Sequence, residues 1–309
     1  NLYRRSFLCK LAVLVLASSL LVTLCTLTIL VIAVSDPADV YEAVNLSAAQ
    51  CVNVSSRAGQ PFPKHIHQTW KDYNIPSKWY TSSQACKKLN PGYKYTLWSD
   101  ADLEKFLEKH YPWFLETYRN YPYPIQRVDA ARYFILYHYG GWYVDLDITC
   151  RESFDNILKN VSENTDSVLG ATAPLGVTNS LIFSKAKHPF MEFTMHRLNV
   201  VNRWYLLPYW TIMLTTGPLF VWRNYLQYPC KDQVHILSVE LHTHIYFNHT
   251  HGSSWHTWDG PIMVWFDNHG KVILKTLAFV IPLVLIGLLL NHMYKGKTRS
   301  IVVYPAHHS

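Results

Sequence analysis

The chain of 309 residues has no internal repeat, no low-complexity tract and no nucleic-acid-binding motif. A solenoid and a sequence-specific reader of DNA or RNA are therefore not indicated. Its 6 cysteines include no Cys-x-x-Cys pair of the metal-binding type. No side chain stands out as a catalytic nucleophile. Acids are missing from both ends, where Arg4, Arg5 and Lys10, and again Lys295, Lys297 and Arg299, stand beside apolar runs. The formal charge of +7 is thus not one basic patch, and terminal bases of this kind fit a membrane better than a nucleic acid.

What is present begins with those two runs. Leu11 to Val34 is uncharged over 24 residues. At about 1.5 Å per residue it can cross a hydrocarbon core of roughly 30 Å. A signal peptide is the alternative, but the run exceeds a usual apolar core and no small-x-small site clearly ends it. Asn1 is not an initiator, so a longer natural N-terminus is expected. Thr276 to Leu290 is the second run, extending to Val272 and Met293 if Lys275 snorkels. Its alternative is a buried C-terminal helix. Basic flanks prefer the cytosol, so two spans predict cytosolic termini and put residues 35–271 on the other side. The sequons at Asn45, Asn53, Asn160 and Asn248 all fall between the runs. Cys51, Cys86, Cys150 and Cys230 fall there too, where disulfides are permitted and three pairings are open.

Residues 35–60 are polar and read as a stem. From Pro61 the pattern alternates. Pro63 to Trp70 reads as a strand and the loop after it, Ser77 to Leu89 as a helix, and Tyr93 to Trp98 as a second strand. A helix follows Asp102, and another covers Asp129 to Tyr139 and stops at Gly140-Gly141. Strand Trp142 to Val144 comes next. This alternation predicts an α/β domain with a largely parallel sheet, whose ligands bind beyond the carboxyl ends of strands.

That end carries Asp145-Leu146-Asp147. Alternation along a strand predicts two carboxylates on one side, about 7 Å apart, with Leu146 on the other. Such a pair suits Mg²⁺ or Mn²⁺ that keeps other positions for water and a substrate diphosphate. A second Asp-x-Asp, Asp100-Ala101-Asp102, precedes a helical pattern and reads as a helix start capped by Ser99 or Asp100. Asp129 and Arg132 share a helix face, and on spacing alone they read as a surface ion pair.

Several segments together resemble the Asp-x-Asp glycosyltransferases of family 32, which are distantly similar to the large clostridial glucosylating toxins. They are Ile66-His67-Gln68-Thr69-Trp70, Asn90-Pro91-Gly92-Tyr93, Leu97-Trp98-Ser99-Asp100, Asp129-Ala130-Ala131-Arg132 and Gly140 to Asp147. The two-run layout and His251-Gly252-Ser253-Ser254-Trp255-His256 resemble the catalytic subunits of fungal inositolphosphoceramide mannosyltransferases in particular. The resemblance implies a GT-A-like fold, a divalent metal (Mn²⁺ or Mg²⁺), retention at the anomeric carbon, GDP-mannose as donor and inositolphosphoceramide as acceptor. It also implies a Golgi membrane location and a membrane regulatory subunit. The layout it predicts is a cytosolic segment 1–10, a membrane helix 11–34, a stem 35–60, a lumenal catalytic domain 61–271, a membrane helix 272–293 and a cytosolic tail 294–309.

By the same resemblance Asp145 and Asp147 hold the metal, and Asp129 and Arg132 grip the donor sugar. Trp70 stacks on the nucleotide base, with core packing as its alternative. Asn179, read in a loop before Leu181, and Gly217, in Thr216-Gly217-Pro218, are donor contacts or plain turn residues. In the cluster His242, His244, His249, His251 and His256, the resemblance picks His251 to close the metal site, with Ser254 and Trp255 nearby. A free-standing zinc site is the competing idea there. Trp204 to Trp210 is unusually apolar for a loop, and reads as a bilayer-interface segment or a second core layer. Transfer to a protein N-glycan, and a non-enzymatic regulatory subunit, are the alternative functions.

Overall fold

The computed structural model describes residues 61–161, 165–173, 176–250, 252 and 256–265, and positions 269, 272, 276, 280, 281, 283, 284 and 287. The chain divides into two compact units, Asp36–Asp259 and the end segments Asn1–Ser35 with Gly260–Ser309. The predicted span 11–34 and stem 35–60 lie outside the described residues, as does most of 272–293. Among the described residues no helix is long and apolar enough to cross a membrane.

The first unit is built on a six-stranded sheet in the order β2-β1-β3-β6-β5-β7. Its strands are β1 (His65–Thr69), β2 (Lys94–Trp98), β3 (Gly141–Val144), β5 (Ser167–Ala171), β6 (Val177–Ser184) and β7 (Val234–Leu237). A separate ribbon pairs β4 (Ile148–Cys150) with β8 (Phe247–His249), antiparallel. The helices are α1 (Ser77–Leu89), α2 (Asp100–His110), α3 (Pro112–Asn120), α4 (Pro124–Tyr139), α5 (Phe154–Lys159), α6 (Pro189–Val201), α7 (Pro208–Thr215) and α8 (Pro218–Gln227).

The sheet is mixed, not largely parallel as the alternation predicts. β1 runs parallel to β2 and β3, and β5 parallel to β7, but β6 is antiparallel to both β3 and β5. The cause is the short 172–176 connection, closed by Thr172 N–H donating to Gly176 O at 3.0 Å. A parallel crossover needs a dozen or more residues, so β5 and β6 form a hairpin.

Side-chain alternation builds two cores on opposite faces of the sheet. Tyr143, Leu169 and Ile182 join one with residues of α2, α3, α4, α6 and α8. Trp142, Val144, Val168, Leu181 and Phe183 join the other with Ile148, Phe154 and Phe247. Trp142 stacks on Phe154 with centroids 4.5 Å apart.

α4 begins at Pro124, earlier than the apolar pattern suggests, because proline at a first helical position needs no partner for an N–H it lacks. It ends at Gly140, at φ 64°, followed by Gly141 at φ 100°. A Cβ on Gly141 would stand 2.4 Å from His65 O, so only glycine lets β3 dock on β1 here. His67 clamps the same turn. Its Nε2–H donates to Gly140 O at 2.9 Å, and Trp98 Nε1–H donates to its Nδ1 at 3.2 Å. The ring is thus held as a neutral tautomer.

Burial, then the nearby His65 ring, lowers the His67 pKa from 6.5 to about 3. The unfolded chain therefore takes up this proton first. The stability that His67 contributes is complete above pH 6.5 and is lost progressively as pH falls toward 3. At pH 5 the loss should reach about 2 kcal/mol. Urea unfolding at pH 7 and pH 5 checks this, and His67→Gln, which keeps a donor for Gly140, should remove that part of the slope.

Candidate active site

β3 ends at Val144, and the chain then turns. Asp145 N–H donates to Ser180 O at 2.8 Å, and Ile148 N–H donates back to Asp145 O at 3.1 Å. The Asp pair therefore sits in a tight turn, not in an extended strand, and strand alternation does not govern it. Asp145, Leu146 and Asp147 all line one cavity of about 680 Å³.

Arg132, 1% exposed, joins three elements. Its NH2 meets Asp129 Oδ1 at 2.7 Å, and its NH1 meets Asp145 Oδ1 at 3.4 Å. NH1 also donates to Asn179 O at 2.6 Å. The Asp129–Arg132 pair is thus buried, not the surface ion pair that spacing alone suggests. Asn179 is in strand β6, not in a loop, and its Nδ2–H donates to Asp129 Oδ1 at 2.9 Å. The Thr216 hydroxyl donates to Asp129 Oδ2 at 3.3 Å.

Asp145 has a second support. Tyr143 O–H donates to its Oδ1 at 2.8 Å, and the Thr69 hydroxyl, 2.8 Å from the Tyr143 hydroxyl oxygen, must then donate to it. The Arg132 guanidinium lies 4.3 Å from the Tyr143 ring centre. Tyr143 and Thr69 each lie within a family motif, but nothing in the sequence pairs them.

The two carboxylates are set differently. Burial raises the pKa of Asp145, with Arg132 opposing and Asp147 adding. Burial alone would raise Asp147 too, but the His249 hydrogen bond and charge and the Gly252 N–H bring it below the usual range. His249 Nε2 lies 3.2 Å from Asp147 Oδ2, and Gly252 N–H donates to the same oxygen at 2.8 Å. Burial lowers His249, but Asp147 and then Asp145 outweigh it and leave the imidazole raised. Asp147 Oδ1 is buried with no hydrogen-bond partner among the described residues.

An ionised carboxylate with one orphaned oxygen beside a second carboxylate fits a hard divalent cation. Among the described residues no group of three or more His, Cys, Asp or Glu side chains could hold a metal ion by itself.

The cavity is also lined by Trp70, Asp129, Arg132 and Asn179. The Trp70 indole N–H is buried without a partner among the described residues. Gly217 does not line it. A Cβ there would stand 3.0 Å from Ile212 O, so this glycine serves the α7–α8 joint, while Met213 and Pro218 face the cavity. His251, Ser254 and Trp255 lie outside the described residues. His242 is buried, donating from Nδ1 to Ala171 O at 3.2 Å, whereas His256 lines the cavity. Ser99 and Asp102 form the reciprocal cap of α2, yet Asp100 between them lines the cavity as well. Trp79 and Tyr209, which belong to no family motif, complete the wall.

Comparison with known proteins matches residues 76–163 to the family described as "Glycosyltransferase sugar-binding region containing DXD motif". Inositol phosphoceramide mannosyltransferase 1 of Schizosaccharomyces pombe is 34% identical over 273 residues, covering 85% of this chain and 84% of that protein. Mannosyl phosphorylinositol ceramide synthase SUR1 of Saccharomyces cerevisiae is 42% identical over 218 residues, covering 68% of this chain and 56% of that protein. Among solved structures, PaToxG Glycosyltransferase aligns at 21% identity and a TM-score of 0.39, over 59% of this chain and 76% of that one. A structural likeness that weak carries no functional argument.

Removing the guanidinium would leave Asp129 buried and unpaired. Arg132→Met is expected to destabilise the domain by about 3–5 kcal/mol, measured as a shift in the urea midpoint.

Proposed function

The chain belongs to the Asp-x-Asp glycosyltransferase family that includes the yeast inositol phosphoceramide mannosyltransferases, and from that membership we propose that it moves mannose from GDP-mannose to inositolphosphoceramide. The observation that carries this reading is the convergence of Asp145, Asp147, Asp129 and Arg132 on one cavity. The product is a mannosylated inositol phosphorylceramide, which makes the reaction a step of sphingolipid synthesis.

Roles derive from the partners each group already has. Asp147 is held ionised and keeps Oδ1 without a hydrogen-bond partner among the described residues, so it would hold the metal directly. Asp145 is held by Arg132 and Tyr143 and would support the same ion or accept from the donor ribose. When bound, Mn²⁺ or Mg²⁺ supplies Lewis-acid stabilisation of the leaving diphosphate. Asp129 takes Arg132 and Asn179 on Oδ1 and Thr216 on Oδ2. A carboxylate accepts about four hydrogen bonds, so Oδ2 retains room for one sugar hydroxyl. Arg132 engages NH1 and NH2 with its own acids and the Asn179 carbonyl, so through those nitrogens it fixes Asp129 and Asp145. Trp70 offers a ring face to the base. Transfer proceeds on the front face with retention, the leaving phosphate oxygen taking the acceptor's proton.

A lipid acceptor agrees with the loop ahead of α7. Trp204 is 57% and Leu206 73% exposed, while Tyr205 and Pro208 are buried. Leu206 has φ 65°, a left-handed conformation that disfavours large side chains. An apolar side chain held outward at some strain suits a bilayer interface. The lumenal side of the Golgi agrees with the Cys86–Cys150 disulfide, with a second disulfide at Cys230, and with a surface-exposed Asn160 sequon. The spans 11–34 and 272–293, cytosolic termini and a membrane regulatory subunit complete the reading.

Labelled GDP-mannose offered separately with inositolphosphoceramide and with a protein N-glycan should label only the lipid, and only with Mn²⁺ or Mg²⁺ supplied. Asp147→Asn should lower transfer by roughly 10²–10³-fold with an unchanged circular dichroism spectrum. Full activity of that variant in Mn²⁺ would remove the metal role. Labelling of the glycan alone would replace the acceptor.

A further inference from the structure

Asp147 opens the β4–β8 ribbon, and the ribbon leans on one face of α1. Trp79, Ser82 and Cys86 share that face by helical spacing. Cys86 is bonded to Cys150 of β4. The Thr149 hydroxyl of β4 donates to Ser82 Oγ at 2.8 Å. The third tie is at the cavity. Gly252, just past β8, would with an ideal Cβ stand 2.8 Å from Trp79 Cζ2, 3.1 Å from Trp79 Cη2 and 3.1 Å from Asp147 Oδ2. Its backbone is thus wedged between an indole and a carboxylate, with no room for a side chain.

That wedge sets a hydrogen bond. Gly252 N–H reaches Asp147 Oδ2 at 2.8 Å, while Thr250 N–H and its hydroxyl both donate to Asp147 O at 2.9 Å. The segment after β8 therefore holds both the backbone and one carboxylate oxygen of Asp147. The other oxygen is left without a partner among the described residues.

We propose that Trp79 and Gly252 are a matched positioning pair. The indole is a back wall that presses the Gly252 N–H onto Asp147 Oδ2 and so fixes the rotation of that carboxylate, leaving Oδ1 for the cation. The proposal rests on Asp147 being the metal ligand but not on the identity of the sugar or the acceptor. It also gives the helix α1, remote in sequence from every metal-site residue, a direct part in setting metal affinity. The indole is 8% exposed and borders the cavity, so its far ring atoms are what a methyl group on residue 252 would meet.

The test uses the full chain in detergent and Mn²⁺ alone, with binding read from loss of the free Mn²⁺ electron paramagnetic resonance signal. Gly252→Ala should weaken Mn²⁺ binding at least tenfold. Trp79→Phe lacks the two ring atoms concerned. It should by itself weaken binding a few-fold, because the back wall recedes. The double variant, in which the new methyl fills the vacated space, should recover to within about threefold of the parent. Unchanged Mn²⁺ affinity in Gly252→Ala, or a double variant no better than that single one, would overturn the proposal. If Gly252→Ala does not fold, the other two proteins decide: a double variant weaker than Trp79→Phe refutes the match, and an equal or tighter one supports it. Mannosyl transfer is assayed in parallel. Compensation in Mn²⁺ binding without transfer by the parent would leave this pair standing and sink only the functional reading.

Discussion

The architecture around the cavity depends on a single buried cation. Arg132 brings together α4, the turn after β3, and β6, and it does so with charge as well as hydrogen bonds. Taking a guanidinium out of water is unfavourable unless its partners are complete. Here Asp129, Asp145 and the Asn179 carbonyl engage its two terminal nitrogens and the Tyr143 ring covers its face, while Nε is buried without a hydrogen-bond partner among the described residues. Strand β6 runs antiparallel to β3, and this is what brings Asn179 and Ser180 alongside the turn. A fully parallel sheet would have placed a different strand end there. The mixed topology and the ion-pair network are therefore one arrangement.

The balance of charge has a consequence for chemistry. One guanidinium faces Asp129 and Asp145, with Asp147 beside them, and His249 adds further positive character at Asp147. The negative excess falls at Asp147, whose pKa stays low because His249 and the Gly252 N–H stabilise the anion. Asp145, already paired with Arg132 and bonded to Tyr143, does not carry it. Two carboxylates one residue apart thus have unequal tasks, set by what each accepts. One anchors the network and the other offers an oxygen.

Much of this was legible in the sequence because it is local. The helix Ser77–Leu89 has the predicted ends, and Ser99 caps α2 through Asp102 as its spacing suggests. Gly140-Gly141 stops α4 and opens β3. What could not be read depends on partners far along the chain. Asn179 sits in a strand because β6 pairs with β3, and Thr216 meets Asp129 across 87 positions. Trp79 lies in an ordinary helical pattern, and its value appears only where Gly252 arrives beside it. The Asp pair is directed into the cavity by a turn and not by strand alternation. Either geometry places the pair at the carboxyl end of β3, where ligands collect in sheets of this kind, so the motif points to the right place in the sequence.

The two halves of the cavity wall differ in how they are held, and this separates their roles. The side made by α4, β3 and β6 is fixed by a buried ion-pair network. The opposite side, α1 with the β4–β8 ribbon, is fixed by a disulfide, one hydroxyl pair and a glycine fitted against an indole. On the proposed reading an ion at Asp147 would touch the second side, and a sugar hydroxyl at Asp129 Oδ2 would touch the first. Trp204 and Leu206 stand exposed in the loop that leads to Tyr209, a residue of the cavity wall.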